Sequence, residues 1–209
     1  MIIINQISKS FKDNILFENI SLKFEEQRKI LIKGINGSGK SVFLKLLVGY
    51  STIDSGEIII DDYILHKSGD FIPNSGISIN SPEFINNLTG LENLLLLSDI
   101  RKIATKEDII ELAKKLELDM FLNKKYKNYS LGMKQKMRII QALMDKPKYL
   151  ILDEPFDALD HQSCEIVKKL FLDYVDNGCT LIYTTHNTEF EQFSDEVYEI
   201  DNRKLIKIK

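Results

Sequence analysis

The residues with the clearest capacity for chemistry are Gly34-Ile35-Asn36-Gly37-Ser38-Gly39-Lys40-Ser41, which follow the spacing G-x-x-x-x-G-K-[ST]. Glycines at such positions let the backbone curl so that successive N–H groups point at one anion. A lysine at the sixth step past the first glycine brings a point charge to the same place, and the hydroxyl after it is a ligand for Mg²⁺. A helix beginning near Lys40 would add its positive dipole end. Gly34, Asn36, Gly37, Ser38, Gly39, Lys40, Ser41 and Val42 are therefore the candidate contacts to the phosphates of a nucleoside triphosphate.

A second cluster stands at Leu150-Ile151-Leu152-Asp153-Glu154-Pro155. Phosphoryl transfer needs a carboxylate to hold the metal and a base to orient the attacking water. Asp153 is the candidate for the first task and Glu154 for the second, with Ser41 as the other metal ligand. Proline directly after the two acids ends the strand where they are needed.

These groups need particular elements to hold them. Lys29 to Lys33 reads as a strand before the glycine loop, and Val42, Phe43, Leu46 and Leu47 give a helical pattern after it. Tyr149 to Leu152 is apolar throughout, as expected of a strand buried on both faces of a parallel sheet. The chain opens as antiparallel β-structure: an apolar run from Ile2 to Ile7, a polar turn from Ser8 to Asn14, then alternation through Ile20, Leu22 and Phe24. Asp54-Ser55-Gly56 marks a turn before a strand over Glu57 to Ile60. Asp61-Asp62 then reverses the chain into Tyr63 to His66, and Ile77 to Ile79 forms a short strand. From Leu91 to Met144 the pattern becomes helical, with segments at Leu91 to Arg101, Lys106 to Leu116 (capped by Thr105) and Leu131 to Met144. A helix over His161 to Val175, a strand over Thr180 to Thr184, a short helix near Thr188 to Phe193 and a hairpin turning at Asp201-Asn202-Arg203 complete the pattern. The fold class is α/β: a single domain over residues 1–209, with an antiparallel β portion and a helical insertion at roughly 85–140.

The 209 residues, 44% hydrophobic, suffice for one full core. The net charge of −3 argues against a partner of nucleic acid, and the lysines are interleaved with acids. The two cysteines, Cys164 and Cys179, lack metal-type spacing and suggest no disulfide framework. The opening residues do not read as a signal peptide. The longest apolar runs, such as Leu94 to Leu97, fall far short of the roughly 20 residues that span a bilayer. The expected location is cytoplasmic, and any membrane role would come through a partner.

Tyr129-Ser130-Leu131-Gly132-Met133-Lys134-Gln135, just upstream of the paired acids, resembles the signature sequence of ATP-binding cassette (ABC) ATPases. Ala158-Leu159-Asp160 resembles the D-loop of that family, and Thr184-Thr185-His186 its switch histidine. The resemblance runs in order along essentially the whole chain. It implies a P-loop NTPase core of ABC type, ATP and Mg²⁺ as cofactors, and ATP hydrolysis with Glu154 and His186 catalytic. It also implies a composite site, in which Ser130, Gly132 and Asp160 of one subunit face the phosphate loop of a second nucleotide-binding subunit. Phe11 falls where the family stacks an aromatic on adenine. Two departures stand out. The signature reads Ser-Leu-Gly-Met in place of the commoner Ser-Gly-Gly-Gln, a form resembling cassettes paired with drug, antibiotic or bacteriocin-immunity permeases. Asn80 occupies the position of a glutamine that in the family contacts the metal and senses the permease, with a side chain one methylene shorter. The resemblance thus implies a transporter subunit, peripheral at the inner face of the cell membrane through a transmembrane permease. The permease would dock near Asn80 to Arg101. The competing reading is a soluble cassette ATPase acting on ribosomes or nucleic acid. Those resemble tandem cassettes or cassettes split by coiled coils, and neither pattern is present. A small kinase or GTPase would need no signature segment, and the chain lacks a guanine-specific Asn-Lys-x-Asp loop.

Overall fold

The computed structural model describes residues 1–12 and 14–209. The N-terminal strands β1 (Ile2–Phe11) and β2 (Asn14–Phe24) pair antiparallel, and β4 (Ser55–Ile60) and β5 (Tyr63–Ile64) extend them into a four-stranded sheet of order β2-β1-β4-β5. A second sheet of six strands has the order β10-β9-β3-β8-β7-β6. In it β3 (Lys29–Lys33), β8 (Thr180–Thr184), β7 (Tyr149–Leu152) and β6 (Ser75–Ser78) run parallel. Strand β9 (Glu196–Asp201) adds parallel to β3, and β10 (Lys204–Lys207) returns antiparallel through Asn202 and Arg203, both at positive φ.

Alternation along the buried strands sends side chains to two cores, one on each face. Ile30, Ile32, Tyr149, Ile151 and Ile182 meet the antiparallel sheet and helix α1 (Lys40–Val48). Leu31, Leu150, Leu152, Leu181 and Tyr183 meet the remaining helices: α2 (Gly90–Arg101), α3 (Lys106–Lys115), α4 (Leu131–Leu143) and α5 (His161–Asp176). Thr89 and Thr105 cap α2 and α3, each in a reciprocal capping box with the acid three residues on.

Several local boundaries differ from the sequence reading. The polar residues from Ser8 to Phe11 belong to β1, not to a turn; Asp54 accepts from Lys9 Nζ, Ser10 N and Ser10 Oγ, so the strand continues through polar side chains. Asp13, part of the expected turn, lies outside the described residues. Ser55 and Gly56 open β4, and His66, at φ 62°, lies beyond β5. Strand β6 is displaced to Ser75–Ser78, because the chain bends after Ile79, with Asn80 and Ser81 at φ 56° and 49°. The segment near Thr188 is a 3-10 turn over Thr188–Glu191.

Candidate functional site

The loop between β3 and α1 has the geometry its glycines permit. Gly37 and Gly39 take φ values of 81° and 102°, which other residues adopt only under strain. A Cβ on Gly39 would stand 3.0 Å from the ring of Phe17, so β2 packs directly against the loop. Phe17 in turn meets Phe43 of α1 edge to face. Lys40 is buried, and its Nζ donates to the carbonyls of Gly34 (2.9 Å) and Ile35 (3.3 Å), so its charge is held by the loop itself. The hydroxyl of Ser38 is buried and has no hydrogen-bond partner among the described residues, and it packs where a Cβ on Gly34 would come within 2.6 Å. Asn36 is exposed, while Ser41 and Val42 are half-buried at the start of α1.

The acids gather around Thr184, fully buried at the end of β8. Its hydroxyl donates to Asp153 Oδ1 at 2.7 Å and accepts from the Glu154 N–H at 3.0 Å. The N–H of Asp153 donates to Ser78 O (2.8 Å), and the Asn80 N–H makes a long contact of 3.4 Å with Asp153 Oδ2. The parallel sheet thus brings the ends of β6, β7 and β8 to one edge, as open α/β sheets do at their ligand sites. Glu154 stands at φ 48° with one carboxylate oxygen buried, 3.3 Å from His186 Nδ1 but without hydrogen-bond geometry. Burial pushes its proton affinity above the ordinary carboxylate range; the charge of Asp157 adds to this, while His186 and Lys40 oppose it. Glu154, Asp157 and His186 each bring one ligand-type atom within 4.8 Å of the others.

The remaining candidates occupy other surfaces. Ser130 caps α4, its Oγ accepting from Met133 N at 3.2 Å. Gly132 lies beneath the Ala158 carbonyl, which a Cβ would approach to 2.9 Å. Leu131 between them is 73% exposed. Asp160 caps α5, accepting from Ser163 N at 2.7 Å, and hydrogen bonds from Ser163 lower its pKa. Within this chain these contacts of Ser130, Gly132 and Asp160 run to Met133, Ala158 and Ser163 and include no residue of the glycine loop. Phe11, half exposed at the tip of β1, has Lys9 Nζ 5.0 Å from its ring centroid.

Sequence reasoning passed over Asp157 and Arg138, and it quoted Gln135 only as the end of the signature segment, without a role. Gln135 and Arg138 act on backbone carbonyls, which leave no mark in a motif. Asp157 sits between two recognised motifs, and its charge was the only signal available.

The likeness to known proteins agrees with this geometry. The profile of the family described as ABC transporter matches residues 17–157. The chain is 35% identical over 189 residues to the uncharacterized ABC transporter ATP-binding protein YybJ of Bacillus subtilis (strain 168), across 90% of this chain and 87% of that protein. It is 27% identical over 207 residues to the lantibiotic transport ATP-binding protein SrtF of Streptococcus pyogenes, across 99% and 89%. Among solved structures, the dimeric structure of MJ0796, a bacterial ABC transporter cassette, matches with a TM-score of 0.86 at 25% identity, over 98% of this chain and 96% of that one.

Proposed function

From the premise that the chain belongs to the ABC transporter family as an ATP-binding ATPase subunit, we propose that it hydrolyses ATP in a composite site between two cassettes and drives a separate membrane permease. The convergence of Asp153, Glu154, Asn80 and His186 at one sheet edge carries this reading. The adenine stacks on Phe11. Lys40 leaves the Gly34 and Ile35 carbonyls for the β- and γ-phosphates, while the N–H groups from Gly34, Asn36 and Gly37 through Val42 and the Ser38 hydroxyl receive phosphate oxygens. Ser41, Asp153 and Asn80 offer the hard oxygen donors that suit Mg²⁺, and Asp153 Oδ2 carries only one long contact of 3.4 Å. Bound by these residues, Mg²⁺ would supply positive charge opposite the phosphates. Glu154 takes the proton of the attacking water, and its raised proton affinity fits a base working near neutral pH. His186 donates a hydrogen bond toward the γ-phosphate. Ser130 and Gly132, at the N-terminus of α4, serve the γ-phosphate of the facing subunit, with Asp160 at the same junction.

The second cassette is a copy of this chain or a sister subunit. The permease seats in an apolar groove of about 320 Å³ lined by Tyr50, Ile79, Pro82, Phe84, Ile85 and Leu96. Tyr50, Ile85 and Leu96 are each at least half exposed there, a sign of a surface that is covered in use. Among the described residues no helix is long and apolar enough to cross a membrane, so the permease supplies the pathway. The subunit then works as one domain with a helical insertion at roughly 85–140, from the cytoplasmic face. Export of drugs or antimicrobial peptides is the direction favoured by Ser-Leu-Gly-Met and by the likeness to SrtF.

Glu154→Gln with excess ATP tests the composite site. The variant is expected to bind ATP, stall hydrolysis and shift from monomer to dimer by sedimentation. ATP binding without any shift would overturn self-pairing in solution. Pull-down of a membrane protein, as opposed to ribosomes or nucleic acid, tests the partner.

A further inference from the structure

Gln135 is a buried polar side chain on α4, only 6% exposed, and both ends of its amide are engaged. Nε2 donates to the carbonyls of Glu154 (3.2 Å) and Pro155 (2.9 Å). Oε1 accepts from Arg138 Nη1 (3.1 Å), and the Nε of Arg138 donates to Pro82 O, also at 3.1 Å. Four hydrogen bonds thereby join α4, the backbone that carries Glu154, and the loop that leaves β6 through Asn80.

Both joined segments have backbones that do not hold themselves. Glu154 at φ 48°, and Asn80 and Ser81 at φ 56° and 49°, occupy a region that costs a non-glycine residue free energy and persists only where surroundings impose it. Thr184 holds the N–H side of Glu154, and Gln135 holds its carbonyl side. At the loop, Pro82 has no N–H, so its carbonyl is the handle, and Arg138 takes it. An arginine suits this place because its planar fork reaches two acceptors in fixed relation, which a single ammonium does not.

We propose that Gln135 and Arg138 are positioning residues for ATP hydrolysis: through the Glu154, Pro155 and Pro82 carbonyls they set the backbone that aims Glu154 and the Asn80 loop. Neither side chain is among the groups assigned above to the nucleotide. The proposal rests on the reading of Glu154 as the base. It locates their main effect in turnover, because the relay reaches the Mg²⁺ donors only through the Asn80 loop and has no bond to the glycine loop or to Phe11, which carry most of the nucleotide contacts.

The test is steady-state ATP hydrolysis by the whole cassette as Arg138→Ala, Arg138→Lys, Gln135→Glu and the double variant Gln135→Glu/Arg138→Ala. Thermal unfolding and equilibrium ATP binding are measured on each. Gln135→Glu keeps the shape but removes the donor to the two carbonyls. Misplacement of a catalytic group by about an ångström costs up to about 100-fold, so Arg138→Ala and Gln135→Glu are expected to lose about 10- to 100-fold in kcat. The KM for ATP stays within about twofold, the signature of an interaction made in the transition state alone. The double variant should be no slower than the slower single, since the two act in series. Arg138→Lys should recover only part of the loss. Unchanged kcat, multiplying losses in the double variant, KM rising in step with the fall in kcat, or full recovery with lysine would each overturn the relay. Should Gln135→Glu fail to fold, the two half-buried Arg138 variants decide the matter by the same kcat and KM criteria. A wild type that binds ATP and never turns it over would overturn the assignment of Glu154, and the relay with it. An active wild type with unaffected variants would overturn the relay alone.

Discussion

At Glu154, burial, the neighbouring Asp157 and the nearby His186 and Lys40 all act on one proton, and the first two prevail. An acid whose folded pKa is raised binds its proton more tightly in the native state than in the unfolded chain. Its stabilising contribution is fully present below the unfolded pKa and is lost as pH rises through the folded one. At neutral pH the ionised side chain is therefore a burden on the fold. Glu154→Gln should melt higher than wild type at pH 8, by a margin that shrinks toward pH 5 in a series of thermal unfolding curves. The acid limb of kcat should lie above the ordinary carboxylate range, and Asp157→Asn should move it to lower pH by removing the like charge. An acid limb that does not move would mean Asp157 leaves Glu154 untouched. Asn80 gives a further prediction at this scale. If the missing methylene limits the reach of its amide, Asn80→Gln should raise basal turnover, and unchanged turnover would count against that account.

Among the elements, β6 leaves little room for small changes. Gly76 lies against α4 so closely that a Cβ would come 1.8 Å from Ala142 O, a backbone atom that cannot step aside. Overpacking of this kind typically costs about 1–3 kcal/mol or more, so Gly76→Ala should lower the unfolding midpoint in urea at unchanged slope. The same strand was legible only in part, as Ile77 to Ile79, and displaced from its true span. Strands β3, β7 and β8 stand out as apolar runs because both faces are buried. Strand β6, reading Ser75-Gly76-Ile77-Ser78, carries no such run; it is held by register to β7 and by contact with α4, both long-range facts. The polar end of β1 was hidden for a similar reason, since Asp54 reaches it from a distant part of the chain. Helices α2 and α3 were legible to within a residue, α3 with its cap at Thr105, while the matching capping box at Thr89 came from the structure. The motifs located the glycine loop and the paired acids. They gave no sign that Thr184 would bridge Asp153 and Glu154, or that Gln135 would hold the carbonyls behind them, because hydrogen bonds to backbone depend on what folding brings near.

For the whole molecule, the pairing surface is where a single substitution should separate assembly from folding. Leu131 is 73% exposed beside Ser130 and Gly132, an apolar side chain that one chain alone leaves in water. Leu131→Asp should leave thermal stability within about 0.5 kcal/mol of the parent, as surface changes generally do. In the Glu154→Gln background it should abolish the ATP-dependent dimer seen by sedimentation. A dimer that survives the charge would place the junction elsewhere.

The left-handed backbone at Asn80, Ser81 and Glu154, with Ala158 at φ 60°, bears on attempts to breed a hardier version of the protein. Glycine would relieve each of these residues, so a screen for heat resistance has easy gains waiting at Asn80 and Glu154, which do the work, and at Ser81 and Ala158 beside them. Selection for survival at high temperature alone would drift toward glycine there and return a robust protein that has gone idle. Libraries meant to preserve the motor should hold those four positions constant and seek their improvements in the helices and on the outer sheet.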